Sequence, residues 1–207
     1  MKLSPLFSAL ALAIFAVDAS ATTFVSSLGS GATSNGMGYG TKFATLFSTG
    51  STYSYTYDLD SVSMYLECSS GSVTYTLSIY SSSGSSYGSL LYTATTVTLT
   101  STGSTELVTF NFTGTDTLDS NTSYYLYLTS TGSDCYYMYG ESASGTYGWS
   151  VGSSILIFTG WSATGMDSPQ LSISGTIVPE PATSAALLGL GVIGMACARK
   201  LAKARKA

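Results

Sequence analysis

The stretch Val73-Thr74-Tyr75-Thr76-Leu77-Ser78-Ile79-Tyr80 alternates apolar or aromatic side chains with hydroxyl side chains. Successive side chains of a β-strand point to opposite faces, so a period of two is typical of a strand with one buried and one solvated face. The residues at 73, 75, 77 and 79 would face a core, and the intervening threonine and serine residues would face water. This stretch therefore predicts a half-buried strand.

The same alternation recurs along most of the chain. The further stretches are Tyr53 to Tyr57, Val62 to Leu66, Leu91 to Leu99, Val108 to Phe112, Tyr124 to Leu128, Ile155 to Phe158 and Leu171 to Ile173. Short clusters of Gly, Ser, Asn and Asp separate them, as is typical of turns between strands. Between residues 22 and 178 no stretch has the period of a helix. The pattern predicts an all-β fold, a two-sheet antiparallel sandwich of jelly-roll type.

The two ends of the chain differ from this pattern. Lys2, an apolar run from Leu10 to Val17 and the small residues Ala19-Ser20-Ala21 are typical of a secretory signal peptide. We therefore predict a signal helix in residues 1–21 that is removed after Ala21. The glycine-rich residues 22–40 are predicted to form an approach segment, and residues 41–178 the β-sandwich ectodomain.

The carboxyl-terminal segment, residues 179–207, combines three features. Pro179-Glu180-Pro181 comes first, and residues 182–198 that follow carry no charge. As a helix these residues would reach about 25 Å, slightly less than the roughly 30 Å of a bilayer core. The tail, 199–207, contains the basic residues Arg199, Lys200, Lys203, Arg205 and Lys206. We predict a transmembrane helix over 182–198 with a cytoplasmic basic stop.

This segment resembles a known sorting signal. The opening Val178-Pro179-Glu180-Pro181-Ala182-Thr183, the Gly- and Ala-rich apolar run and the basic end are similar to the PEP-CTERM signal of Gram-negative bacteria. The resemblance implies that Pro179, Glu180 and Pro181 are recognised by an exosortase-like membrane transpeptidase, which removes the helix. It also implies export by the secretion machinery, transient anchoring in the inner membrane, and delivery to the cell surface or an extracellular polysaccharide matrix. The alternative is a permanent single-span anchor.

The ectodomain shows a second resemblance. Phe43 to Gly50, Leu77 to Tyr80 with Gly88 to Leu91, and Leu118 to Leu128 are similar to the choice-of-anchor group of exported β-sandwich domains. That group has no known biochemical activity, so the resemblance implies only the fold and the exported setting.

Charge and composition exclude several classes of function. Residues 22–178 contain one basic residue, Lys42, against nine acidic residues. Without a basic patch to neutralise phosphates, nucleic-acid binding is excluded. The sequence contains no histidine, which removes Ser-His-Asp and Cys-His catalysis. A glycosidase needs two facing carboxyl groups, and its candidates Glu67, Glu106 and Glu141 fall in unrelated segments. We therefore predict a protein that is not an enzyme.

Two of the three cysteines, Cys68 and Cys135, lie in the exported part, and Cys197 lies in the apolar tail. In an oxidising compartment the first two could form a disulfide. The alternative is two separate thiols, at least one of which packs as a small apolar side chain.

Carboxylates and aromatic side chains supply the remaining candidate sites. Calcium is bound by oxygen-rich groups such as carboxylates. The candidate ligands of a calcium cofactor are Asp58, Asp60, Asp116 and Asp119. Solvated turn residues are the alternative. Sugars stack on aromatic faces, and the candidates for binding extracellular polysaccharide are Tyr136, Tyr137, Tyr139, Tyr147, Trp149 and Trp161. Their alternative role is core packing. A carbohydrate-binding module is thus the alternative function.

Overall fold

A computed structural model describes residues 21–29, 33–37, 42–51, 55–84, 86–114, 116–131, 135–140, 143–158, 161–166, 168–179 and 194–195. The predicted signal peptide, the basic tail and nearly all of the predicted transmembrane helix lie outside these residues. The part of the chain that the structure describes contains no apolar helix of membrane-spanning length. Residues 21–178 form one compact unit.

Sixteen strands are present in the described residues. They are β1 (Thr22–Ser26), β2 (Thr33–Met37), β3 (Lys42–Ser48), β4 (Tyr55–Cys68), β5 (Ser72–Ser83), β6 (Ser86–Thr93), β7 (Val97–Thr100), β8 (Glu106–Asn111), β9 (Thr117–Asp119), β10 (Ser123–Thr131), β11 (Cys135–Gly140), β12 (Ala143–Ser144), β13 (Ser150–Phe158), β14 (Trp161–Met166), β15 (Ser168–Pro169) and β16 (Leu171–Pro179). A single 3₁₀ turn, Thr146–Gly148, precedes β13.

The strands form two antiparallel sheets, as the sequence predicts. Sheet A has the order β1-β16-β4-β11-β15, with β2 paired to β11 and with β8 and β9 paired to β4. Sheet B has the order β12-β13-β3-β10-β5-β6, with β14 paired to β13 and β7 paired to β5. The predicted all-β sandwich is confirmed, and the jelly-roll type of connection stays a prediction.

Alternation places one face of each long strand in the core. In β5 the side chains of Val73, Tyr75, Leu77 and Ile79 are fully buried, as the opening pattern predicts. The strand β4 buries Val62, Met64 and Leu66 in the same way. Both sets belong to one apolar cluster between the sheets. Burying apolar surface is the main favourable term in folding, so this shared core holds the two sheets together.

The outer faces are lined by hydroxyl groups that pair across neighbouring strands. The Ser63 hydroxyl lies 2.8 Å from that of Thr109, between β4 and β8. The Thr74 and Thr98 hydroxyls are 2.9 Å apart, between β5 and β7. Such cross-strand pairs contribute about 0.2–1 kcal/mol each, so the solvated faces also stabilise strand pairing.

The predicted approach segment, residues 22–40, is corrected by the structure. It contains β1, which pairs with β16, and β2, which pairs with β11. Phe24 and Val25 are each only 1% exposed and belong to the core. The sequence pattern did not predict these strands because each has only five residues, which is too short to show a clear period. The sandwich therefore begins at β1 and not at residue 41.

Four aromatic rings meet at one end of the core. Trp149 stacks on Phe24 with ring centroids 4.6 Å apart, and it stacks on Phe47 at 6.0 Å. The Tyr57 ring meets Trp149 edge-on at 5.1 Å. The four residues come from β1, β3, β4 and the turn before β13, so the cluster joins both sheets.

Strand β16 packs very closely against its neighbours in sheet A. A Cβ atom added at Gly175 would collide with the Asp58 carbonyl oxygen, and it would lie 2.9 Å from the Phe24 ring. Only glycine leaves room there, so this position sets how closely β16 can approach its neighbours β1 and β4.

Replacing Trp149 with alanine should lower the free energy of unfolding by about 3–5 kcal/mol, because a large buried ring leaves a cavity. Urea denaturation followed by circular dichroism would measure the loss. Leu107→Ala is the control, since that side chain is 50% exposed and should cost no more than about 0.5 kcal/mol. Equal losses in the two variants would contradict a core role for Trp149.

Replacing Gly175 with alanine should lower the free energy of unfolding by about 1–3 kcal/mol, because the added methyl group overpacks the sheet. The matched control is Gly152→Ala, where the nearest atom to a new Cβ is the Leu46 carbonyl oxygen at 3.5 Å. Thermal unfolding of both variants would compare them. A Gly175→Ala protein as stable as the control would show that β16 can move away from Asp58.

Candidate functional site

The sorting motif starts at the end of the last strand. Pro179 is the final residue of β16, while Glu180 and Pro181 lie outside the described residues. Just before the motif, the Thr56 hydroxyl donates to the Val178 carbonyl at 3.5 Å. Strand β16 therefore runs directly into the motif.

The first strand of the sandwich lies beside the last. In the antiparallel pair β1 and β16, Thr22 is opposite Gly175 and Ser26 is opposite Ser172. Since β16 runs on to Pro179, the amino-terminal end of β1 and the carboxyl-terminal end of β16 lie at the same end of sheet A. The predicted signal-peptide cleavage position, after Ala21, is thus at the same end of the domain as the motif.

Two of the six residues predicted to stack on sugars are buried. Trp149 and Tyr137 are each 1% exposed, and Tyr137 packs on Phe43 with ring centroids 4.6 Å apart. Both are core residues, so neither can offer a face to a ligand. Sequence alternation could not reveal this for Trp149, because it belongs to a turn.

The other members of that set are dispersed. Tyr147 is 39% exposed in the 3₁₀ turn, and Tyr136 is half-buried opposite Glu67 on β4. Tyr139 lies in β11 and Trp161 at the start of β14, but their side chains are outside the description. Within the described side chains, Tyr147 is therefore the one exposed aromatic residue of the predicted set.

A tyrosine cluster that sequence reasoning missed lies on the outer face of sheet B. The rings of Tyr80, Tyr87 and Tyr127 have centroids 5.2–5.5 Å apart and are tilted against one another. Tyr127 is 7% exposed and Tyr87 is 39% exposed. Tyr125 and Ala44 belong to the same outer cluster. The unbroken run Tyr124-Tyr125-Leu126-Tyr127-Leu128 was the available signal, because it places apolar residues on both faces of β10.

This tyrosine cluster changes the acidity of its central member. Burial raises the pKa of Tyr127 to about 12, and the neighbouring hydroxyls of Tyr87 and Tyr80 add to the effect. A hydrogen bond between Tyr127 and Tyr87 acts in the same direction. The cluster is thus a neutral, weakly hydrated patch in which side chains of β10, β5 and β6 pack together on one face of sheet B.

The predicted calcium ligands are only partly brought together. Asp58 on β4 lies beside Thr117 on β9, whose hydroxyl donates to Asp58 Oδ1 at 3.1 Å. Burial raises the pKa of Asp116, and the Asp58 carboxylate raises it further. Asp60 is exposed. Among the described residues, no group of three acidic, cysteine or histidine side chains converges, and calcium binding by the four carboxylates stays a prediction.

The candidate glycosidase acids lie on neighbouring strands of sheet A. Leu66 of β4 is opposite Glu106 of β8, so Glu67 is one residue away from that pair. The Thr105 hydroxyl donates to Glu67 Oε2 at 3.2 Å, and the Thr102 hydroxyl donates to Glu106 Oε1 at 3.0 Å. Glu106 is exposed and Glu67 half-buried. Glu141 lies outside the described residues.

The raised pKa of Tyr127 gives a testable pH dependence. Its folded-state pKa of about 12 exceeds the ordinary value of about 10, so the folded protein holds this proton more tightly. The resulting stability is complete below pH 10 and is lost as the pH rises towards 12. An alkaline titration of ring-labelled tyrosines by NMR would follow it, with Tyr127→Phe to assign the signal. A Tyr127 midpoint near 10 would contradict this account.

Comparison with known proteins adds one family and one distant group of structures. A chain of the infectious bursal disease virus Gx strain is similar over 81% of this chain, with 14% identity and a TM-score of 0.37. A chain of the Gt strain is similar over 80%, with 14% identity and a TM-score of 0.34. This chain spans only 42–43% of those viral chains.

No curated protein gives a match to this sequence. The resemblance of the ectodomain to the choice-of-anchor group stays a prediction. The carboxyl-terminal resemblance is confirmed, because residues 178–200 match the family of the PEP-CTERM protein-sorting motif.

Proposed function

We propose that this chain is a non-enzymatic surface or extracellular-matrix protein that an exosortase-like transpeptidase releases from a transient membrane anchor. The sorting motif at residues 178–200 marks an exported protein that is processed by an exosortase-like membrane enzyme. The match is the observation that carries the proposal.

The position of the motif supports a division of roles. Residues 21–178 form the folded unit, so removing residues beyond the motif would leave the sandwich complete. Pro179, Glu180 and Pro181 serve as the recognised sequence. The uncharged residues 182–198 hold the chain in the membrane until processing, and the basic residues from Arg199 to Lys206 fix its orientation.

The surroundings of the candidate acids support a role without catalysis. Glu67 and Glu106 each accept a hydrogen bond from a threonine hydroxyl in the turn before β8, as surface residues of a structural domain commonly do. Cross-strand hydroxyl pairs occur on the outer faces of both sheets. Such a surface suits contact with a hydrated polysaccharide matrix, since hydroxyl groups both donate and accept hydrogen bonds.

The carbohydrate-binding alternative is weakened by the burial of Trp149 and Tyr137. Among the described side chains, the exposed aromatic residues left for a binding module are Tyr147 and the tyrosine cluster around Tyr87. The rings of that cluster are tilted by 52–74° against one another, whereas a flat sugar-stacking platform needs rings in one plane.

The mass of the protein recovered from an exporting host tests the proposal. We expect a species that begins at Thr22, ends near Pro181 and is found outside the inner membrane. Glu180→Ala should slow or abolish this processing, so that the uncut chain accumulates in the membrane fraction. Ser184→Ala is the control, because it changes a small residue just beyond the motif.

Two results would overturn the proposal. A membrane-bound species that retains Ala207 in the parent protein would indicate a permanent single-span anchor. Equal processing of the parent and the Glu180→Ala protein would indicate release by another route.

A further inference from the structure

Two strand ends bring the two ectodomain cysteines together. Cys68 is the last residue of β4, and Cys135 is the first residue of β11. In the antiparallel pair these two residues stand directly opposite each other. From this register we infer that Cys68 and Cys135 form a cross-strand disulfide in the exported protein.

The spacing of an antiparallel ladder suits such a bond. Residues directly opposite each other have Cα atoms about 4.5–5.5 Å apart, and disulfides join residues whose Cα atoms are about 4.4–6.8 Å apart. The ladder continues beyond the cysteines with Tyr136 opposite Glu67 and Tyr137 opposite Leu66. The backbone positions of the two cysteines are therefore fixed by the neighbouring pairs of the ladder.

The surroundings of Cys68 restrict which thiol can reach its sulfur atom. Cys68 is a free thiol in the structure, 2% exposed and part of the core. Its Sγ atom is directed towards the turn, 3.3 Å from the Ser70 carbonyl oxygen. Burial hides this sulfur from thiols in solution, so its partner must come from within the fold. By register, that partner is Cys135.

The bond would form while the strand ends meet during folding. Export places the chain in a compartment where disulfides persist. The thiolate of one cysteine attacks a disulfide of a thiol–disulfide oxidoreductase and forms a mixed disulfide. The second cysteine thiolate then attacks the sulfur of the first cysteine in that mixed disulfide, and the oxidoreductase thiolate leaves. Both cysteines lose their protons and are oxidised, while the oxidoreductase disulfide is reduced to two thiols.

The bond would close a large part of the sandwich. The 68 residues from Cys68 to Cys135 include all of β5 to β10. Strands of both sheets lie within this loop, so one covalent bond would limit the separation of the sheets in the unfolded chain. In the chain-entropy account, this restriction of the unfolded state stabilises the fold.

Differential alkylation of the uncut chain, from a host that exports it but has no exosortase-like enzyme so that Cys197 is retained, tests the inference. The protein is denatured and treated with iodoacetamide, once without and once with prior reduction, and its cysteine peptides are identified by mass spectrometry. We expect the peptides of Cys68 and Cys135 to be alkylated only after reduction and to appear as one linked pair before it. Cys197 serves as an internal check that alkylation is complete.

Single variants separate this pair from other pairings. In the Cys68→Ser protein the Cys135 peptide should be alkylated without prior reduction, and in the Cys135→Ser protein the Cys68 peptide should be. A reductant should lower the Tm of the parent protein while leaving that of the Cys135→Ser protein unchanged. Full alkylation of Cys68 and Cys135 without reduction would overturn the inference. So would a linked peptide that contains Cys197, or a disulfide between two copies of the chain.

Discussion

The sandwich depends on the packing of Trp149 against Phe24, Phe47 and Tyr57. Phe24 and Tyr57 belong to sheet A and Phe47 to sheet B, so the indole ring is in contact with both layers. Close backbone contacts at two glycines hold the turn that contains Trp149 in place. A side chain on Gly50 would collide with the Tyr147 carbonyl oxygen, and one on Gly145 would collide with the Phe24 carbonyl oxygen. The turn that supplies the central ring is thus held closely against β1 and against the end of β3.

Sequence alternation predicted most strands because their pattern is local. In β5 the apolar or hydroxyl character of each side chain indicates whether that side chain is buried. The buried face of Val73 to Ile79 could therefore be predicted without knowing which strands pair with β5. Pairing is not local. The contacts of β1 with β16 join residues about 150 positions apart, and the local sequence of residues 22–40 does not predict them. The same holds for the cysteines, whose facing positions follow from the register of β4 and β11.

The candidate site was predicted unevenly for a related reason. Pro179, Glu180 and Pro181 were identified because the motif is a linear signal read along the chain. The aromatic surface failed because exposure is a property of the folded neighbourhood. Trp149 was a candidate for stacking on sugars, yet its ring is 1% exposed. Conversely, Tyr80, Tyr87 and Tyr127 come from three different strands, and only the sheet brings them into contact.

The position of β16 has a consequence for the timing of folding. It lies between β1 and β4, so sheet A has a gap until residues 171–179 are available, and β1 lacks this neighbour. Since secretion delivers the amino-terminal end first, the last strand arrives only after almost the whole ectodomain has crossed. Contacts of such long sequence separation are slow to form. Sheet A is therefore completed after translocation, and until then the open edge of β4 is available to bind other chains.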